Sequence, residues 1–161
     1  MKDFVFQYSK TIASDWHETV CKALMKIYKI DENFIKYSYK NCHFIGVLDE
    51  KLPKNRQFYE NKKNRDALFV VGTPEIYSEA SLKTSEQPLA TNLVGNNFYE
   101  RIKNLDGHFL IFYYEERDQI LRLGSSKLGM IPCYYLINKD VTIVSSRLSV
   151  FKYLVPDLKL D

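Results

Sequence analysis

Between His108 and Ser145 the chain is punctuated in a way that leaves few folds open. His108–Glu115 and Gln119–Leu123 are runs of strand-forming residues separated by Glu116-Arg117-Asp118, a spacing that suits a tight hairpin. Cys133–Ile137 and Val141–Ser145 repeat the arrangement around Asn138-Lys139-Asp140. Leu148–Leu154 then predicts a short helix, closed by Pro156. Two consecutive hairpins followed by a helix predict an antiparallel sheet in an α+β chain.

The earlier segments fit that class. Phe4–Tyr8 is a short strand candidate. Trp16, Val20, Leu24, Ile27 and Tyr28 fall at helical spacing behind the acidic Asp15 and Glu18, which predicts a helix over Ser14–Tyr28 with its apolar stripe facing a core. Phe44–Leu48 is a second strand. Ala67–Val71 is wholly apolar, as in a strand buried on both faces, and Gly72-Thr73-Pro74 is expected to end it. Lys51–Arg65 holds six basic residues among Pro and Asn, the composition of a solvated loop. Ser78–Asn92 is a polar helix fragment or loop. Phe98–Ile102 predicts a helix that stops before the turn dipeptide Asp106-Gly107.

Composition sets the outer limits. Twelve Tyr and ten Phe against one Trp favour a sheet-rich interior, and 161 residues suffice for one domain with its own core. A formal charge of +3 gives no basic stripe for nucleic acid. No apolar run approaches the ~20 residues that span a bilayer. Three widely separated cysteines, Cys21, Cys42 and Cys133, do not form a disulfide framework, so a reducing, cytoplasmic setting is expected.

Reactive constellations are sparse. His17 and Cys21 stand at i, i+4, the spacing of two ligands on a helix, but only Cys42-His43 could complete such a set, so no metal site is expected. The plainer reading has Cys21 packing while His17 caps the helix or faces solvent. Cys42 and His43 are strand neighbours and would point to opposite faces, which weakens them as a nucleophile–base pair. Cys133 reads as a small buried hydrophobe. Neither a G-x-x-x-x-G-K-[ST] phosphate loop nor an S-G-G-x-D-S pyrophosphatase loop occurs, so ATP chemistry is not expected in this chain.

Several motifs nevertheless stand in a telling order. Leu105-Asp106-Gly107-His108-Phe109 reads L-x-G-x-F, and Leu123–Tyr135 reads L-G-S-S-K-L-G-M-I-P-C-Y-Y, with Gly129, Pro132, Tyr134 and Tyr135 at characteristic spacing. Val144-Ser145-Ser146 leads into Leu148–Leu154, and Val155–Asp161 follows as a short connecting segment. Taken together these passages, over Asp66–Asp161, resemble the glutaminase-type domain that opens enzymes of the asparagine synthetase family. The resemblance implies an N-terminal-nucleophile (Ntn) hydrolase-like αββα sandwich of two layered antiparallel sheets. It would occupy residues 1–155, with 156–161 beginning a hinge toward an absent synthetase domain. It further implies positive φ or close backbone approach at Gly107 and Gly129, a strand start fixed by Pro132, and Tyr134 and Tyr135 directed to opposite sides of the sheet.

The same resemblance exposes departures. The family's nucleophile is an N-terminal cysteine whose α-amine acts as base, whereas position 2 here is Lys2. The family's glutamine-binding N-G-E-I-Y-N loop corresponds best to Val71–Ser78, where Gly72, Glu75, Ile76 and Tyr77 remain but the asparagine is Val71. Its arginine–aspartate pair is Ser125-Ser126. The expectation is a catalytically inactive domain that supports an ATP-dependent amide-forming synthetase by packing and substrate-cleft formation. Domains of β-lactam synthetases and lasso peptide cyclases are similar in this respect. Catalytic and cofactor-binding residues are then absent from this chain, Gly72, Gly107, Phe109, Gly129, Pro132, Tyr134 and Tyr135 are structural, and ATP and Mg²⁺ belong to a covalent or separate synthetase partner. The alternative is a stand-alone binding or regulatory module on the same fold.

Overall fold

The computed structural model describes residues 1–9, 15–28, 33–76, 93–95 and 97–155. They form a mixed α+β arrangement with two antiparallel sheets and few helices. The chain makes two compact units, one of Met1–Asp49 with Pro132–Asp161 and one of Glu50–Ile131.

The first unit is built on a five-stranded sheet in the order β2-β3-β1-β9-β8. Its strands are β1 (Asp3–Ser9), β2 (Phe34–Tyr39), β3 (Cys42–Val47), β8 (Tyr134–Ile137) and β9 (Val141–Ser145). The central strand β1 pairs with β3 on one side, Val5 opposite Ile45, and with β9 on the other, Val5 opposite Ser145. Helix α1 (Trp16–Tyr28) lays Trp16, Val20, Cys21 and Leu24 on the face formed by Val5, Ile45, Val47 and Ile143. Val150 and Phe151 join that cluster from a 3₁₀ turn (Leu148–Val150) and helix α4 (Phe151–Leu154). Phe4, Phe6 and Phe44 alternate onto the opposite face and are buried as well, with Phe4 and Phe44 stacked at 6.3 Å.

The second unit holds a four-stranded sheet in the order β4-β5-β6-β7. Its strands are β4 (Phe58–Glu60), β5 (Ala67–Ile76), β6 (Leu105–Glu115) and β7 (Ile120–Ser125). Short helix α2 (Lys54–Gln57) precedes β4, and α3 (Phe98–Lys103) precedes β6. Phe98 packs with Leu68, Val70, Phe109, Ile111 and Tyr113 on one face of the sheet, while Phe69, Val71, Leu110, Phe112 and Tyr114 are buried on the other. Gly124 lets Ile102 of α3 rest on β7, since a Cβ there would lie 2.9 Å from its Cδ1.

Several expectations are corrected. Gly72-Thr73-Pro74 does not end the apolar strand: β5 runs on to Ile76, paired with β6 throughout. Pro74 is tolerated because β4 pairs only as far as Phe69, so beyond that point β5 borders, among the described residues, β6 alone. Asp106-Gly107 is not a turn but the start of β6, with Gly107 at φ 90°. The basic loop contains α2 and β4, whose Phe58 ring packs 5.2 Å from Phe69. Strand β2 is an additional element, its Phe34, Ile35 and Tyr37 interleaved with polar Lys36 and Ser38. Ser78–Asn92 and 156–161, including the expected hinge, lie outside the described residues. Among the described residues no helix is long and apolar enough to cross a membrane.

Candidate functional site

Two of the motif glycines, Gly72 and Gly107, sit where no side chain fits. Gly72 has φ 82°, and a Cβ on it would lie 2.1 Å from the His108 carbonyl oxygen. Gly107 has φ 90°, and its Cβ would lie 2.4 Å from the Thr73 carbonyl oxygen. The two glycines are thus the reason β5 and β6 can approach through their irregular stretch, where Gly72 is opposite Phe109 and Gly107 opposite Pro74. Gly129 has φ 56° in open space, a turn requirement alone. Phe109 is buried in the core of this unit. Pro132 stands just ahead of β8, where Tyr134 and Tyr135 do point to opposite faces. Neither ring is buried, because β8 is a sheet edge; Tyr135 is 72% exposed.

Within the second unit, Val71 and Ser125 both pair with Leu110, from β5 and β7. Val71 is buried, and Ser126 carries a buried hydroxyl with no hydrogen-bond partner. Its backbone N–H donates to the Phe109 carbonyl, so the Ser125-Ser126 region closes onto β6. Tyr77 lies outside the described residues. Met1, ahead of β1, is buried, with its Sδ filling the space that a Cβ on Gly46 would take. Desolvation lowers the Met1 α-amine to about 6, against the attraction of Asp49.

Beside it, the ends of β1 and β9 are tied by charge. The Arg147 guanidinium donates to both oxygens of the Asp3 carboxylate, at 3.1 and 3.3 Å. Ser146 Oγ donates to the same carboxylate and accepts the Phe4 N–H at 3.0 Å. The Asp3 side chain is 5% exposed and that of Arg147 is 47% exposed, so the carboxylate bears most of the desolvation. Arg147→Met leaves a buried carboxylate held by fewer donors. The expected loss is about 2 kcal/mol, read by urea unfolding followed through Trp16 emission. Asp3→Asn, which keeps the shape and drops the charge, loses less.

A denser polar cluster lies at the start of α1. Trp16 Nε1 donates to Gln7 Oε1 at 2.6 Å, and Gln7 Nε2 donates to Ser9 Oγ at 3.1 Å. The His17 ring meets Trp16 edge-on at 5.0 Å and His43 at 6.2 Å, while Ser38 Oγ and His43 Nδ1 are 2.7 Å apart. His17 therefore does not simply cap the helix or face water. Burial pushes both imidazoles below their ordinary value, opposed by hydrogen bonds that the rings donate to the main chain, His17 to the Tyr37 carbonyl and His43 to the Lys40 carbonyl. Burial pushes the neighbouring Cys21 thiol up, against the pull of Lys36. Burial likewise raises the Cys133 thiol, which is only partly buried. Cys42 and His43 do point to opposite faces of β3, Cys42 with Phe44 and His43 with Ile45.

The sequence offers His17 as a cap or ligand and His43 as a ligand or base, in neither case as partners; the β2–β3 hairpin and α1 bring them together. The one available signal was the alternation of β2, which sets Ser38 opposite His43. Chemically the pair offers neutral imidazoles that can accept a proton. Among the described residues no group of three His, Cys, Asp or Glu is placed to hold a metal ion. No protein-family model matches the chain, and no curated protein matches it closely enough to indicate kinship.

Proposed function

We propose that the chain is a catalytically inactive glutaminase-like domain of the asparagine synthetase type, an Ntn-hydrolase-like αββα sandwich with two layered antiparallel sheets. It supports an ATP-dependent amide-forming synthetase by packing against it and helping to shape the substrate cleft. The observation that carries the reading is the backbone at the motif glycines. Gly107 and Gly129 adopt the left-handed conformations that the motif calls for. The polar positions that glutamine hydrolysis would use hold Lys2, Val71, Ser125 and Ser126 instead. Further support comes from two antiparallel sheets that each carry helices on one face and are buried on the other. ATP and Mg²⁺ belong to the partner in this reading, and the nitrogen comes from an amine already on the substrate.

The test begins with source cells and an antibody to this domain. The expected product is either far larger than 19.0 kDa or a 19.0 kDa chain that co-purifies with an ATP-using amide ligase. The purified domain releases no ammonia from glutamine above the protein-free rate. A lone 19.0 kDa chain with no such ligase, or steady ammonia release, overturns the proposal.

A further inference from the structure

We propose that His17 and His43 form an acid-sensitive latch that holds the first turn of α1 on the five-stranded sheet and releases it when the pair takes up protons. The inference is independent of the synthetase reading. Geometry carries it. His43 is 4% exposed, and the Nε2 of His17 is buried with no hydrogen-bond partner. A protonated imidazole has two N–H donors, and the second on His17 would be a buried donor with nothing to accept it.

Among the described residues the surroundings do not compensate a new charge. From β2 the facing groups are the Lys36 cation, the Tyr37 carbonyl and the Ser38 hydroxyl. From β1 they are the neutral Gln7 and Ser9, and from the β2–β3 turn the Lys40 carbonyl. Helix α1 contributes Trp16 and the Cys21 thiol, while its Glu18 is paired with Lys22 on an exposed face and the carboxylate of exposed Asp15 accepts from Thr19. Among the described residues the charges acting on the pair are cations, Lys36 on His17 and, once protonated, His17 on His43. Trp16 meets the His17 ring edge-on at 5.0 Å and the His43 ring at a tilt at 5.8 Å, so it couples the latch to the first helical turn.

The pH sense follows from desolvation, which lowers both imidazoles in the folded chain. Below about 6.5, the ordinary imidazole value, the opened state binds more protons than the closed one. Stability of the latch is complete above that pH and falls as pH drops toward the folded values. Each group changes the opening equilibrium by up to ~10-fold per pH unit, and both together by up to ~100-fold.

The test uses the full chain. The ring signals of His17 and His43 are titrated by NMR. Trp16, the single Trp in the chain, reports the first turn by its emission, and amide protection factors are followed along α1. His17 and His43 should both titrate below about 6.5, the ordinary imidazole value. Protection over Trp16–Leu24 should fall with acid before that of Val5 and Ile45, and His17→Gln with His43→Gln should flatten this dependence. Two imidazoles titrating at or above about 6.5, or an unchanged acid response in the double variant, overturn the latch. If the double variant fails to fold, the wild-type titration decides alone.

Discussion

Gly72→Ala should unfold the four-stranded unit at markedly lower denaturant, with a loss of about 3 kcal/mol. Two costs combine. A residue with a Cβ held at φ 82° loses roughly 1–2 kcal/mol to its own backbone. The added methyl, 2.1 Å from the His108 carbonyl oxygen and 2.8 Å from Ile131 Cδ1, must also force β5 and β6 apart, and overpacking of this kind costs about 1–3 kcal/mol. The neighbouring carbonyl is main chain, so no rotamer change relieves the contact. Gly129→Ala is the internal control: it has φ 56° but nothing within 4 Å, so it bears only the first cost. Urea unfolding followed by far-UV circular dichroism separates the two. Equal losses at both positions would show that the close approach of β5 and β6 contributes nothing.

Asp66→Ala should cost a similar amount, about 3 kcal/mol, through its hydrogen bonds rather than through sterics. The buried Asp66 carboxylate accepts from the Tyr113 hydroxyl at 3.1 Å, the Glu116 N–H at 3.0 Å and the Asn64 side chain at 2.8 Å. It thereby joins the tight β4–β5 loop, where Arg65 adopts φ 63°, to the far end of β6. Asp66→Asn keeps one acceptor oxygen and should lose less than Asp66→Ala. A spectroscopic signature separates this role from simple packing. Burial, then the Asp66 charge, pushes the Tyr113 phenol above its ordinary range. Removing the carboxylate should bring phenolate formation to lower pH, while Leu68→Val, a packing change on the same face, should not.

How much of this could be read in advance depended on whether the signal was local. Val141–Ser145 was predicted to the residue, and the hairpin turns at Glu116-Arg117-Asp118 and Asn138-Lys139-Asp140 were placed correctly, because turn chemistry is written in adjacent residues. Helix α1 was clear for the same reason, its apolar spacing surviving over three turns. Errors came where long-range pairing overrode local habit. Gly-Thr-Pro and Asp-Gly are stop signals in isolation, yet facing each other across β5 and β6 they become a matched irregular ladder. Strand β2 was overlooked because Lys36 and Ser38 break its apolar run, although its alternation is what one buried face demands. For the histidine pair that alternation is the one signal the sequence carries. Its members are separated by 26 positions, and only the register of Ser38 with His43 and the lie of α1 close the gap.

The central place of β1 in its sheet has a consequence during synthesis. Strand β3 reaches its partner early, but β9 is translated roughly a hundred residues later, and until then one side of β1 carries bare main-chain donors and acceptors. At ~5–20 residues per second the wait is on the order of 5–20 s. The intervening stretch, Glu50–Ile131, is contiguous and can complete its own sheet in that interval. The nascent five-stranded half therefore emerges first and finishes last, and a chain stalled before Val141 would leave the ribosome with a strand edge open to any passing neighbour.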